Sequence, residues 1–173
     1  MKSKNWLAIS AAVAVSTVSA AFPVSALAQQ GVVTERSITV DAAREAAVAA
    51  MESCRKSGYQ TTVTVVNKWG RVKAVLSDDN AGPHTNENSY KKAYTTITFR
   101  GEPSGDFGKR TAKNPPPHPA LHLSNITTAE GALPIKSGNE LIGSIGVSGA
   151  PGGDKDAVCA QAGIDRIAKM IGN

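Results

Sequence analysis

Aromatic side chains are scarce in this chain of 173 residues, with three Phe, three Tyr and two Trp. Nucleic-acid binding through stacked bases needs rings interleaved with arginine, and the positive residues here are scattered without such a pattern. A nucleic-acid partner is therefore not expected. Histidine occurs only at His84, His118 and His122, and none stands in an H-E-x-x-H arrangement. No G-x-S-x-G elbow is completed around Ser144 or Ser148. Ser53-x-x-Lys56 and Ser89-x-x-Lys92 match S-x-x-K, but no K-T-G accompanies them and both fall in the middle of expected helices. Glu87 has no second carboxylate beside it to hold a hard cation. The familiar nucleophilic and zinc-protease arrangements are excluded.

The chain opens with a segment that reads as removable. Lys2 and Lys4 form a basic start, Trp6 to Val18 is mostly Ala, Val, Leu and Ile, and Ala26-Leu27-Ala28 supplies an A-x-A cleavage site. Residues 1–28 are thus expected to be a signal peptide and residues 29–173, beginning at Gln29, one domain in a secreted or periplasmic setting. Ser and Thr interrupt the apolar run and Pro23 follows it, which argues against a retained anchor. Lys2 and Lys4 supply two units of the formal net charge of +5, so the basicity carries little information about partners. An oxidising compartment permits a disulfide between Cys54 and Cys159; two small buried thiols on helix faces fit the residues as well.

Beyond a polar lead-in, Thr39 makes a good N-cap, and "AAREAAVAAMESCRK" is strongly helix-forming up to Gly58. Ala43, Ala46, Ala47, Ala50, Met51 and Cys54 share one stripe, which suits a helix lying flat on a sheet. "TTVTVVN", the turn Asn67 to Gly70 and "RVKAVLS" read as a hairpin. A second helix is expected from about Thr85, with Tyr90, Ala93, Tyr94 and Ile97 recurring at three and four residues. A short helix in "DFGKRTAKN" runs into three prolines. Ala132 onward gives a second hairpin turning at Ser137-Gly138-Asn139, and a last helix runs from about Asp154 to Ile171. Hairpin-plus-helix, occurring twice, predicts an α+β fold: an antiparallel β-sheet flanked by helices.

The stretch "GSIGVSGAPGGDKD" is rich in glycine where the second hairpin passes into the last helix. It fails both nucleotide tests: its glycines follow a G-x-x-G-x-x-G spacing late in the chain, and no G-K-[ST] enters the helix. Asp154 and Asp156 would repel a phosphate at the helix N-terminus and serve better as the helix's own caps. The glycines are thus expected to shape the backbone. Among the histidines, "PPPHPALH" sets His118 and His122 four apart, but Pro117 and Pro119 forbid a regular helix there. A lone histidine on such a stiff loop suits axial ligation of a haem iron better than a closed zinc site; exposed loop histidines are the alternative.

The segments "VTVVNKWGRVKAVLSDDNAGPHTNENSYKKAYTTITF" and "ALPIKSGNELIGSIGVSGAPGGDKDAVCAQAGID" together resemble the GlcG/HbpS-like haem-binding family, which includes the domain at the C-terminus of PduO-type proteins. The marks are the Trp69-Gly70 turn, Asn80-Ala81-Gly82-Pro83, Lys92-Ala93-Tyr94-Thr95, and Gly143 through Asp156. This resemblance implies a profilin-like fold, homo-oligomers, and b-type haem held at a surface or subunit boundary. It implies a protein that binds, stores, delivers or senses haem, with a membrane sensor or haem-uptake partner, and at most a weak peroxidase-like activity of the bound iron. The segment Pro115 to Leu123 matches the region associated with the haem pocket. His122 is expected as the axial ligand, because His118 is pinned between prolines, and His84 is a third candidate. Lys109 and Arg110 are expected to neutralise the propionates; a solvated basic patch is the alternative. The rival function is a corrinoid- or hydroxy-acid-related enzyme or accessory domain without haem.

Overall fold

The computed structural model describes residues 31–113 and 118–173; the expected signal peptide, Gln29 and the prolines at 115, 116 and 117 lie outside them. Every helix and strand among the described residues falls within the unit Glu35–Asn173. Four helices and four strands follow in the order α1 (Val40–Lys56), β1 (Thr62–Asn67), β2 (Val72–Ser77), α2 (His84–Thr98), α3 (Ser104–Ala112), β3 (Ala132–Ser137), β4 (Glu140–Ser148) and α4 (Gly153–Ile167). A short 3₁₀ turn, Pro119–His122, lies between α3 and β3, and another, Ala168–Ile171, follows α4. All strands pair antiparallel in the spatial order β2-β1-β4-β3, so the fold is α+β as expected.

Helix α1 begins where Thr39 accepts a hydrogen bond from the Ala42 N–H at its side-chain oxygen. It ends at Gly58, whose N–H donates to the Arg55 carbonyl while Tyr59 N–H donates to the Cys54 carbonyl. The alanine stripe is buried throughout, and its small side chains bring the helix backbone close to the sheet. Alternation along β1 sends Val63 and Val65 into the core beneath α1 and α4, where Ile145 and Val147 of β4 join them. Cys54 and Cys159 are bridged, with their Cα atoms 5.5 Å apart, tying α1 to α4 across 105 residues of chain.

The opposite face of the sheet is polar where a core is usually apolar. Thr62 and Thr64 of β1 hydrogen-bond Thr85 and Ser89 of α2 at 2.7 and 2.8 Å, and Ser144 of β4 donates to the Ala93 carbonyl at 2.7 Å. Gly146 lets α2 settle this closely, since a Cβ there would overlap the Ser89 carbonyl and the Ala93 N–H. The stripe of Tyr90, Tyr94 and Ile97 is only half-buried; the face that packs inward carries Thr85, Ser89, Lys92, Ala93 and Thr96. Hydroxyl pairs across the interface satisfy Thr85 and Ser89, while the buried Thr96 hydroxyl has no hydrogen-bond partner among the described residues, so an apolar stripe does not mark the buried side.

Lys92 is the largest of these polar intrusions. Its side chain is 3% exposed, and Nζ donates to Asp156 Oδ2 at 2.7 Å and to the Val147 carbonyl at 2.9 Å. Asp156 is therefore not a cap for α4. The N-cap is Gly152, without a side-chain cap bond, and Asp156 turns inward to accept from Ala150 N–H and Lys92. Asp154 stays in the first turn, where the helix dipole favours it. The final segment, expected as one helix to Ile171, tightens to 3₁₀ after Ile167.

Removing the disulfide with Cys54→Ala and Cys159→Ala is expected to lower the free energy of unfolding by about 2–5 kcal/mol, read as a fall in the urea midpoint. Lys92→Met strands the Asp156 carboxylate in the interior and is expected to cost about 3–5 kcal/mol. Pairing it with Asp156→Leu should cost less than Lys92→Met alone, which equilibrium unfolding of the double variant would show.

Candidate functional site

Two regions carry the chemistry. The first is the 3₁₀ turn Pro119–His122. Pro119 sets its first φ, and His118 caps it by accepting the Ala120 N–H at Nδ1, 3.2 Å away. The His118 ring also stands edge-on to Phe99 and Phe107, whose own rings are stacked at 4.1 Å. Its orientation is thus fixed by ring packing as well as by its bond from Ala120. His122 ends the turn exposed to solvent, and its imidazole has no hydrogen-bond partner among the described residues.

Lys109 and Arg110 sit in the last turn of α3. Arg110 is engaged: its guanidinium makes two bonds to Glu102, at 2.9 and 2.7 Å, and lies over the Phe99 and Phe107 rings. Arg110 accordingly holds the Glu102 carboxyl below its ordinary range. Lys109 is looser, 66% exposed, and 3.6 Å from Glu130. Arg110 and His118 thus share one phenylalanine pair, while Lys109 leans toward the second region through Glu130.

The second region is a cavity of about 400 Å³ under the glycine-rich stretch. Lys92 and Asp156 line it, along with Asn88 and Ser148, with His84 among the residues around it. Asn88 donates to the Ser148 hydroxyl at 3.0 Å. Burial pushes the Asp156 carboxyl up, and its bonds from Lys92 and Ala150 pull the other way. His84, the first residue of α2, is exposed and also borders an adjoining cavity of about 290 Å³ with Ile126 and Thr127. The glycines of the stretch do serve the backbone: a Cβ on Gly153 would meet the Glu130 carbonyl oxygen at 2.5 Å. Yet the same stretch forms a cavity wall, a role its composition did not announce. The three histidines do not converge on a metal: among the described residues no group of three or more His, Cys, Asp or Glu side chains is placed to hold one.

Reasoning from sequence passed over Asn88, Lys92, Ser148 and Asp156 as a group. A signal was present. Thr85, Ser89, Lys92 and Thr96 repeat at helical spacing opposite the tyrosines, and Thr62, Thr64, Ser144 and Ser148 alternate along two strands. Two polar stripes of matching length imply polar faces that meet.

Comparison with known proteins agrees with this architecture. No curated protein sequence matches the chain. A variant of HbpS from Streptomyces reticuli is 32% identical, covering 84% of this chain and 97% of that one, with a TM-score of 0.72. Protein ORFY of Klebsiella pneumoniae is 21% identical over 82% of this chain and 97% of its own, with a TM-score of 0.73. The PduOC:heme complex is 21% identical over 76% of this chain and 95% of that one, with a TM-score of 0.68. Residues 38–165 match the model of the haem-degrading HbpS-like proteins, and the chain belongs to that HbpS-like family.

Proposed function

We propose that this is an exported haem-binding protein that stores, delivers or senses b-type haem. The match of residues 38–165 to the haem-degrading HbpS-like proteins carries this reading, and the likeness to a PduOC:heme complex supports it. The leader read over residues 1–28 supports export. Haem iron would supply the redox chemistry; the residues of this chain hold and orient it.

His122 is the proposed axial ligand. It is exposed on a proline-started turn and keeps both ring nitrogens available among the described residues, whereas His118 already uses Nδ1 and its ring is packed. Lys109, with only long contacts to Asp106 and Glu130, is better placed to meet a propionate than Arg110, which is held by Glu102. Trp69, Val72 and Val75 are exposed near the edge strand β2 and would suit a homo-oligomer contact.

Haem titration followed by the Soret band tests the ligand. His122→Ala is expected to abolish the band or weaken affinity at least about tenfold, a loss of about 1.4 kcal/mol. His118→Ala and His84→Ala are expected to titrate like the parent protein. Loss with His84→Ala instead would move the iron to the cavity, and no Soret band in the parent would reject haem binding.

A further inference from the structure

The cavity under the glycine-rich stretch is lined by several groups that can donate hydrogen bonds. Lys92 carries three N–H bonds, of which two go to Asp156 and Val147. Among the described residues the third finds no protein acceptor, and Lys92 lines the cavity. Ser148, 3% exposed, accepts from Asn88 and so keeps its own proton to give. Gly153 opens α4, and an N–H at that position has no acceptor within the helix. His84, with neither ring nitrogen bonded among the described residues, adds a further donor beside them.

The charges set the class of ligand. Asp156 offsets Lys92, and Asp154 and Glu130 add carboxylates in the first turn of α4 and on the cavity wall. These carboxylates repel a doubly charged phosphate about twice as strongly as a singly charged carboxylate. A small carboxylate carries one charge and two acceptor oxygens, which suits several donors around an internally neutralised ammonium. A space of about 400 Å³ holds a compact acid or the carboxylate arm of a larger molecule.

We propose that this cavity is a carboxylate-binding site, with Lys92, Ser148 and the N-terminus of α4 as the donors and Asp156 as the group that positions Lys92. The carboxylate is either a free small acid or a propionate of haem bound alongside. The chemistry at the site is the same, and the source is a separate question.

Acetate, inorganic phosphate and haem distinguish these outcomes on the full-length mature protein. Acetate is expected to bind saturably to the haem-free protein by NMR titration, and phosphate at least about tenfold more weakly. Ser148→Ala, which removes the hydroxyl and keeps the Lys92–Asp156 pair, should weaken acetate about three- to tenfold while the thermal midpoint stays within a few degrees. His84→Ala should act in the same direction to a smaller extent. If haem-loaded protein no longer takes acetate and Ser148→Ala weakens haem as well, the carboxylate is a propionate. If acetate binds equally with and without haem, it is a free acid. The acetate arm stands even if haem fails to bind. No saturable acetate binding, with haem affinity untouched by Ser148→Ala, would overturn the proposal, as would tighter binding of phosphate than of acetate.

Discussion

One buried ion pair ties together parts of this fold that lie far apart in sequence. Lys92 comes from the middle of α2, and Asp156 from the first turn of α4, 64 residues later. Lys92 also reaches the Val147 carbonyl at the end of β4, so one ammonium fastens helix, strand and the passage between strand and helix. Two charges leaving water cost several kcal/mol each, and this geometry recovers that only because each is held by a second hydrogen bond. The pair thereby fixes where the glycine-rich passage runs. The cavity wall, the start of α4 and the position of Asp156 all follow from it.

The two faces of the sheet are held by different physics. Beneath α1 and α4 the contact is apolar and the backbones are close, with alanines and glycine letting them approach: Gly163 lies against the Ala46 carbonyl. Beneath α2 the contact is made of hydroxyls in pairs, each correct only in one register. Hydrogen bonds tie each hydroxyl to one direction and partner, whereas apolar contacts are non-directional. The side of the sheet that borders the cavity is therefore the side specified by directional contacts.

This difference explains what could be read from the chain. The alanine helix, both hairpins and the last helix were legible, because Thr39, Gly58 and the β-branched run at residues 61–66 act locally. The inward face of α2 was not, because the tyrosines imitate an apolar stripe and the true stripe is polar. Asp156 looked like a cap for the same local reason; only the tertiary position of Lys92 turns it inward. Pro117 and Pro119 excluded a regular helix around His118, but the phenylalanine pair that packs its ring comes from residues that proline spacing does not point to. That Arg110 is occupied by Glu102, eight positions earlier, depends on the intervening chain folding back, which no spacing rule supplies.

The cysteine bridge between α1 and α4 also bears on when the fold is completed. Its two ends are the first helix and the last, so the cross-link encloses both hairpins and every other described helix. Before it closes, the chain lacks the largest single restriction on its unfolded ensemble. The reduced chain would thus sample open states more often than the oxidised protein does. Under the export proposed above, that looseness would be useful on one side of a membrane, where a polypeptide must be threaded, and would end on the other, where oxidation makes the fold durable.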